Sequence, residues 1–544
     1  MDQLANSNGS ANDTEVDVVV IGSGFAGLYA LHKLRNGLGL KVRSFDDASG
    51  VGGTWYWNRY PGARSDTEVT AYCYSFDREL FDEWKWTERY PRQHEILGYL
   101  NHVADRFDLR RSITFGTTIE SAWFDETTNR WDIKTSKGER ISAQFVVAGV
   151  GLLSSTNYPD IKGRDIFAGD VYHTARWPQE GLDLTGKRVG VIGTGSSGTQ
   201  VIAEIAPQVG QLVVFQRRPQ YSVPAQHGPI PQQVLAEIKA DYDGYWESVR
   251  RSITAFGFAE SDVPAMSVSE EEREAVFEKA WNIGGGFRYM FATFGDIGVD
   301  PAANEAAASF IRNKIKEIVK DPKTAEALTP HDLYARRPLC DDGYFATFNR
   351  DNVSLVDLQV EPIQEITPKG ILTSAREYEL DVLVFATGFD AVTGNYVKID
   401  IRGRNGQKLR EEWSEGPRAH LGLAISGFPN LFMIFGPMGP FTNQPPAHEV
   451  QVDWIADAIE HVRRNSLGSI EVNRAAEDDW VSECNQIAHS TLFPKVDSWI
   501  NGANVPGKPV SVMFYMAGMG AYVDRLEQVV ANDYEGFAVG APTV

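Results

Sequence analysis

The sequence predicts an α/β protein with two parallel-sheet units, the second of them interrupted by an all-helical insertion. Three observations carry this. A short β-branched run at 16–21 passes into a glycine-rich turn and then into an apolar helical period, and the same succession returns from 188 onward. From 224 to 332 the period is helical throughout. Near-continuous apolar runs at 145–151 and 381–388, each ending in small residues, have the form of buried strands that cross between two units.

The elements follow in chain order. The first turn reads Gly22-Ser23-Gly24-Phe25-Ala26-Gly27, with a helix marked by Ala30, Leu31 and Leu34 and a strand at 41–45 that ends at Asp46. The second turn reads Gly193-Thr194-Gly195-Ser196-Ser197-Gly198. Its helix carries Val201, Ile202 and Ile205, and its strand at 212–215 runs into Gln216-Arg217-Arg218. The two turns begin 171 residues apart, a spacing that suits two separate domains and not a solenoid repeat. In the helical block, Val234, Ile238, Tyr242, Tyr245 and Val249 keep helical spacing, Ser269 and Glu272 form a capping-box pattern, and 302–319 is strongly helical. Strands are expected at 352–360, 371–373, 381–386 and 428–434, and helices from about Glu449 onward. The expected division is 1–150 with 388–544 as one dinucleotide-binding domain, 151–223 with 333–387 as the other, and 224–332 as the insertion.

Each GxGxxG turn has a physical task. Its first glycine makes the tight turn, the second lets backbone approach a pyrophosphate, and the third lets helix pack on strand; the phosphates meet the helix N-terminus. Between a strand and a helix, both turns read as Rossmann-like fingerprints. Asp46 stands 19 residues after Gly27, and Arg217 stands 19 residues after Gly198. A carboxylate there accepts from ribose hydroxyls and repels a 2′-phosphate, which suits FAD or NAD. Two cations there suit the 2′-phosphate of NADPH. Two unlike dinucleotides in one chain imply electron transfer from nicotinamide to flavin.

Composition narrows the class. Among 544 residues, 52 Lys and Arg face 73 Asp and Glu, for a net charge of −21, so nucleic acid is not an expected partner. The cysteines, Cys73, Cys340 and Cys484, include no CxxC pair. Neither a disulfide framework, a metal site nor a flavin disulfide reductase is therefore expected, and a reduced, cytoplasmic location is. The apolar run at 16–30 is broken by Gly22, Gly24 and Gly27, so it is neither a signal peptide nor a membrane span. Residues 1–14 are polar and small, as in a flexible tail.

Between the two fingerprints, Phe167, Gly169, His173, Trp177 and Pro178 match FxGxxxHxxxW[PD]. This resembles the signature of the type I Baeyer-Villiger monooxygenases, and the resemblance runs from about Val16 to about Gly536. The segment at 52–68 looks like the family's flavin-flanking loop; segments at 255–258, 263–269, 284–288, 335–341 and 436–443 are similar to the cyclohexanone-oxidising branch, and 498–508 is a further match to the family. The resemblance implies an enzyme that uses FAD, NADPH and O2 to place an oxygen atom beside the carbonyl of a cyclic ketone, through a C4a-peroxyflavin, giving an ester or lactone. It also implies a monomer with no membrane attachment. Two other readings stay open: a monooxygenase that oxidises nitrogen or sulfur, and a non-catalytic flavin-binding redox sensor.

The same resemblance implies roles for residues. Arg337 is the active-site arginine and Asp66 its acidic partner. A fixed guanidinium stabilises an anionic oxidant and the oxyanion of a tetrahedral adduct, and a carboxylate orients it. Gly53, Thr54, Trp55 and Tyr72 join the first fingerprint and Asp46 in contacting FAD. Arg336 joins Arg217 and Arg218 at the 2′-phosphate, and Trp499 meets the nicotinamide cofactor. Leu152, Phe256, Phe287, Phe441, Thr442, Gln444 and Phe514 fall where relatives line the ketone pocket. Gln444 departs from the pattern, which has an apolar residue there. His173 is too isolated to read as a general base and reads as a buried hydrogen-bonding residue of the linker.

Overall fold

A computed structural model describes residues 14–540. The first expected strand spans Thr14–Ile21. The tail expected at 1–14 thus gives up its last residue to the sheet and otherwise lies outside the described residues. Thr14–Ile21 is buried because strands flank it on both sides: it pairs in parallel with Val42–Phe45 and with Arg140–Ala148. The eight-stranded sheet continues from Val42–Phe45 to Ile113–Thr114. On the other side it runs through an antiparallel meander, Arg140–Ala148, Arg130–Thr135 and Ile119–Asp125, to Asp400–Arg402. Leu431–Met433 pairs with the last residues of Arg140–Ala148, so both ends of the chain build this sheet.

The second sheet is wholly parallel. Its order is Val353–Asp357, Gln211–Gln216, Arg188–Ile192, Val382–Phe385 and Asp170–His173. The edge strand Asp170–His173 is the linker signature itself. Four residues, two of them exposed, show no alternation that would have announced a strand.

Both fingerprints use one crossing geometry. Gly22 has φ 104°, and a Cβ there would lie 2.4 Å from the Gly149 carbonyl oxygen. Gly193 has φ 107°, and a Cβ there would lie 2.4 Å from the Ala386 carbonyl oxygen. The small-residue ends of the two crossing strands therefore seat against the first glycine of each turn. The crossings also bind each other: Asn157 donates its backbone N–H to Gly388, and Asp390 to Ser155, at 3.0 and 2.8 Å.

The insertion holds helices at Gln232–Ala240, Tyr242–Arg251, Glu270–Ile283, Gly286–Phe291, Pro301–Ile318 and Pro322–Leu328. The apolar series from Val234 to Val249 breaks at Asp241, whose side chain accepts from the Gly244 N–H and starts a new helix. The Ser269–Glu272 capping box is formed. A two-stranded parallel ladder, Ser222–Pro224 with Leu339–Asp341, joins the two ends of the insertion and fixes Arg336 and Arg337 just upstream. The helix expected from about Glu449 begins earlier, at Gln444, with prolines in its first turn where no N–H is needed.

Candidate active site

The C-terminal ends of the first sheet open into a cleft of about 470 Å3. Its wall includes Gly22, Gly24, Phe25, Ala26, Asp46, Gly53, Thr54, Trp55 and Tyr72. Gly27 stands behind, where a Cβ would lie 2.0 Å from the Gly22 carbonyl oxygen, so it brings helix onto strand. Thr54 opens the short helix Thr54–Trp57, and the Trp55 indole N–H donates to the Tyr72 hydroxyl at 3.1 Å. Asp46 accepts from the Ser23 N–H and hydroxyl, each at 2.7 Å, and from the Ala48 N–H at 2.8 Å. Burial pushes its pKa up against these hydrogen bonds. It is thus both the brace of the turn and a carboxylate on the cleft wall, with accepting capacity left for ribose.

The cleft fits FAD on three counts. A Cβ on Gly53 would lie 2.8 Å from the Gly24 Cα, so two backbones pinch together where a pyrophosphate would pass. Asp46 is the only carboxylate at the end of Val42–Phe45 that is hydrogen-bonded into the turn. A buried imidazole nitrogen, Nδ1 of His448, lacks a protein partner, and its residue lines the same cleft.

Arg337 and Asp66 form a two-pronged pair across 271 residues of sequence: Nη2 donates to Oδ1 at 2.7 Å, and Nη1 donates to Oδ2. Their side chains are 26% and 9% exposed. Burial pulls the Arg337 pKa down, but the Asp66 charge and hydrogen bonds outweigh it, and the guanidinium is held above its ordinary value. It lies 5.0 Å above the ring of Phe287, which stacks on Phe256 at 4.1 Å. A fixed cation above an apolar aromatic wall can stabilise an oxyanion that forms beside it.

One residue class went unread in the sequence. Glu68 accepts from Arg89 at 2.7 Å and from Arg288 at 2.6 Å, tying the Asp66 loop to the helical insertion. The Glu68–Arg288 bond spans 220 positions, which no local pattern reveals.

The second fingerprint lies over helix Ser196–Ile205, whose Gly198 would place a Cβ 2.3 Å from the Gly193 carbonyl oxygen. Thr194 donates its hydroxyl to the Arg218 carbonyl at 3.2 Å, and Gly195 leaves open space beside it. Ser197 lies beside the buried Tyr60 hydroxyl, and Ser196 begins the helix. The three arginines separate here. Arg218 pairs with Asp497 at 2.8 Å; Arg336 donates to the Asp497 carbonyl at 3.0 Å and pairs with Asp332. Arg217 makes no side-chain hydrogen bond or ion pair among the described residues. Burial, then the charges of Arg218 and Arg336, push its pKa down. A cation crowded by cations is a place for a phosphate.

Trp499 follows the same Asp497. Its ring stands edge-on to Phe514 at 6.1 Å, and its indole N–H meets no acceptor among the described residues. The loop behind it is pinned to the crossings: Lys508 donates to Asp390 at 2.6 Å, and Asn504 to the Phe389 carbonyl at 2.8 Å.

In the linker, His173 is 1% exposed. Its Nδ1 accepts from the Ala175 N–H at 3.1 Å. The Thr387 hydroxyl donates to the Asn157 carbonyl at 2.6 Å, so toward His173 Nε2, at 3.4 Å, it accepts. Nε2 therefore carries the proton. Burial lowers the His173 pKa to about 4. A neutral imidazole with both nitrogens engaged, sitting where strand Asp170–His173 meets Thr387, fixes the crossings and has no proton to offer. Gly169 allows the Asp381 carbonyl close by, Phe167 packs under the second sheet, and Trp177 is buried beside Tyr172 ahead of Pro178.

The residues expected to line the ketone pocket fall into three contact groups. Phe256 and Phe287 stand under Arg337. Phe441 and Phe514 pack together at 5.4 Å beside Trp499. Leu152 and Gln444 lie on the wall of the first cleft. Thr442 turns its hydroxyl to the Thr254 carbonyl at 2.5 Å, which links the second group to the segment that carries Phe256.

Comparison with known proteins places this geometry. The family described as flavin-binding monooxygenase-like matches residues 15–228. A Baeyer-Villiger monooxygenase of Pseudooceanicola batsensis is 54% identical over 98% of this chain and 97% of its own length. A phenazine N-monooxygenase of Lysobacter antibioticus is 52% identical over 96% of this chain and 97% of its own. The structure of cyclohexanone monooxygenase from Rhodococcus sp. Phi1 bound to NADP+ is 56% identical, with a TM-score of 0.96 over 97% of this chain and 100% of that one. Matched to these relatives over nearly its whole length, this chain belongs to the flavin-binding monooxygenases of the Baeyer-Villiger type.

Proposed function

We propose that the chain converts a cyclic ketone to a lactone, inserting one atom of O2 beside the carbonyl at the expense of NADPH. The observation that carries this is the Arg337–Asp66 pair, fixed above the stacked Phe256–Phe287 wall. When bound, FAD supplies O2 activation and NADPH supplies the hydride. The chain's own residues then have defined work. The Arg337 guanidinium holds negative charge at the attacking oxygen and at the carbonyl oxygen that becomes an oxyanion. Asp66 keeps it in place without taking part in proton transfer. The aromatic wall excludes water from that charge. Arg217 receives the 2′-phosphate, Arg218 and Arg336 surround it, and Trp499 offers its free N–H to the same cofactor.

The sheets support a division in which 1–150 with 388–544 holds FAD, 151–223 with 333–387 holds NADPH, and 224–332 is the insertion that carries the aromatic wall. We read the enzyme as a monomer. No helix among the described residues is long and apolar enough to cross a membrane, and the three cysteines are free and buried; we read the enzyme as cytoplasmic.

A second reading has one relative behind it: oxidation of an aromatic ring nitrogen, as the name of the Lysobacter protein states. Competition under air separates the two. With cyclohexanone and phenazine supplied together, the ketone reading expects ε-caprolactone as the main product by gas chromatography. Phenazine N-oxide as the main product overturns it.

A further inference from the structure

Helix Gln444–Arg464 meets the first cleft with its first turn, and places two polar side chains on the wall: Gln444 and, four residues on, His448. That spacing puts them on one face. His448 is 7% exposed, and its Nδ1 is buried with no protein partner. The Phe435 ring packs perpendicular to the imidazole, 5.6 Å away, and the Phe435 N–H is in turn fixed by Gln451 at 2.7 Å. The Gln444 amide likewise finds no hydrogen bond among the described residues.

An unpaired buried nitrogen is costly, so a site that keeps one expects a ligand atom there. Here the ligand of the cleft is FAD. Burial lowers the His448 pKa to about 3, and no charged group opposes this. The ring is therefore neutral and has one N–H to give. It stands one turn into a helix whose N-terminal end faces the cleft, and the dipole there favours negative charge.

We infer that His448 contacts bound FAD as a neutral hydrogen-bond donor and raises its reduction potential, with Gln444 as a second donor one turn earlier. This rests on the assignment of the first cleft to FAD. Reduction by NADPH transfers a hydride, two electrons and a proton, which leaves NADP+ and a reduced cofactor carrying extra negative charge. A donor at the cofactor then stabilises the reduced form more than the oxidised form. Hydrogen bonds to charged groups are stronger than neutral ones, enough for roughly a tenfold change in the equilibrium. For a two-electron couple, tenfold is about 30 mV.

The test is the midpoint potential of FAD in the full chain, measured by dye-coupled reduction for the wild type, His448→Leu and His448→Gln. His448→Met serves where the leucine variant does not retain FAD. The apolar variants are expected to lie about 30 mV below the wild type, and the glutamine variant, which keeps an N–H, between them. Apolar variants with bound FAD and an unchanged or higher potential overturn the inference. A wild-type chain that binds no FAD overturns the cofactor assignment itself.

Discussion

Replacing Arg337 by lysine keeps the charge and removes the geometry. The guanidinium commits two N–H groups to Asp66, through Nη1 and Nη2, and has five in all, so up to three remain for an oxyanion. A lysine ammonium has three donors from one point, and two held by Asp66 would leave one. Losing even one preorganised donor at a developing oxyanion costs about 2.7–4 kcal/mol, or roughly 10²- to 10³-fold in turnover. Lactone formation by Arg337→Lys, which loses up to two, should fall by at least that factor, followed by gas chromatography alongside hydrogen peroxide. FAD absorbance should be unchanged, because the substitution keeps the positive charge beside Asp66. Arg337→Ala adds a second effect: it leaves the Asp66 carboxylate, 9% exposed, without its partner, at about 3 kcal/mol of fold stability. Asp66→Asn in the same chain should restore thermal stability and leave turnover low. Wild-type lactone turnover in Arg337→Lys would refute the reasoning.

Arg217→Ala should raise the KM for NADPH roughly 10- to 100-fold and leave that for NADH unmoved, because it removes one charge-assisted contact to the 2′-phosphate; steady-state kinetics with both coenzymes checks this. Glu449 is buried, accepts from the Ser75 and Phe76 N–H groups at 2.7 and 3.2 Å, and has its pKa raised to about 7 by burial. A raised folded pKa stabilises below the unfolded value near 4.5 and loses that stability as pH rises through 7, by about 3 kcal/mol. Glu449→Gln should therefore flatten the decline in melting temperature between pH 5 and 8, a range set by that pKa. His173 has the opposite sign: its pKa of about 4 lies below the unfolded value, so its contribution is lost as pH falls through that range, and His173→Gln should soften the acid limb of the same melting curve. Gly22→Ala, with φ 104° and a Cβ 2.4 Å from the Gly149 carbonyl oxygen, should purify without FAD or fail to fold, as absorbance and circular dichroism will report.

The fingerprints were readable because each glycine answers a local clash, and the residue that clashes, Gly149 or Ala386, ends a strand the hydropathy pattern also marks. The linker was readable only through its resemblance to a family signature; the strand inside it, Asp170–His173, carries no alternation, and its partner strand Val382–Phe385 lies far along the chain. Long-range polar partners were not. Nothing near Glu68 in sequence points to Arg288, and nothing near Arg217 and Arg218 says that Asp497 pairs with only one of them. Pro445 and Pro446 hid the true start of a helix, because prolines read as breakers unless they fall in a first turn. His448 belongs to no motif; only its burial and its unpaired nitrogen reveal it. The aromatic residues expected to line the ketone pocket were the least legible, because a phenylalanine in a wall and one in a core look the same in sequence; the fold pairs Phe256 with Phe287 and Phe441 with Phe514.

The most direct measurement supplies the enzyme with NADPH, cyclohexanone and 18O2, and weighs the product. One 18O atom per ε-caprolactone, with one NADPH consumed for each lactone formed, is expected. NADPH oxidation that yields only labelled hydrogen peroxide, or lactone whose added oxygen carries no label, would contradict the proposed function.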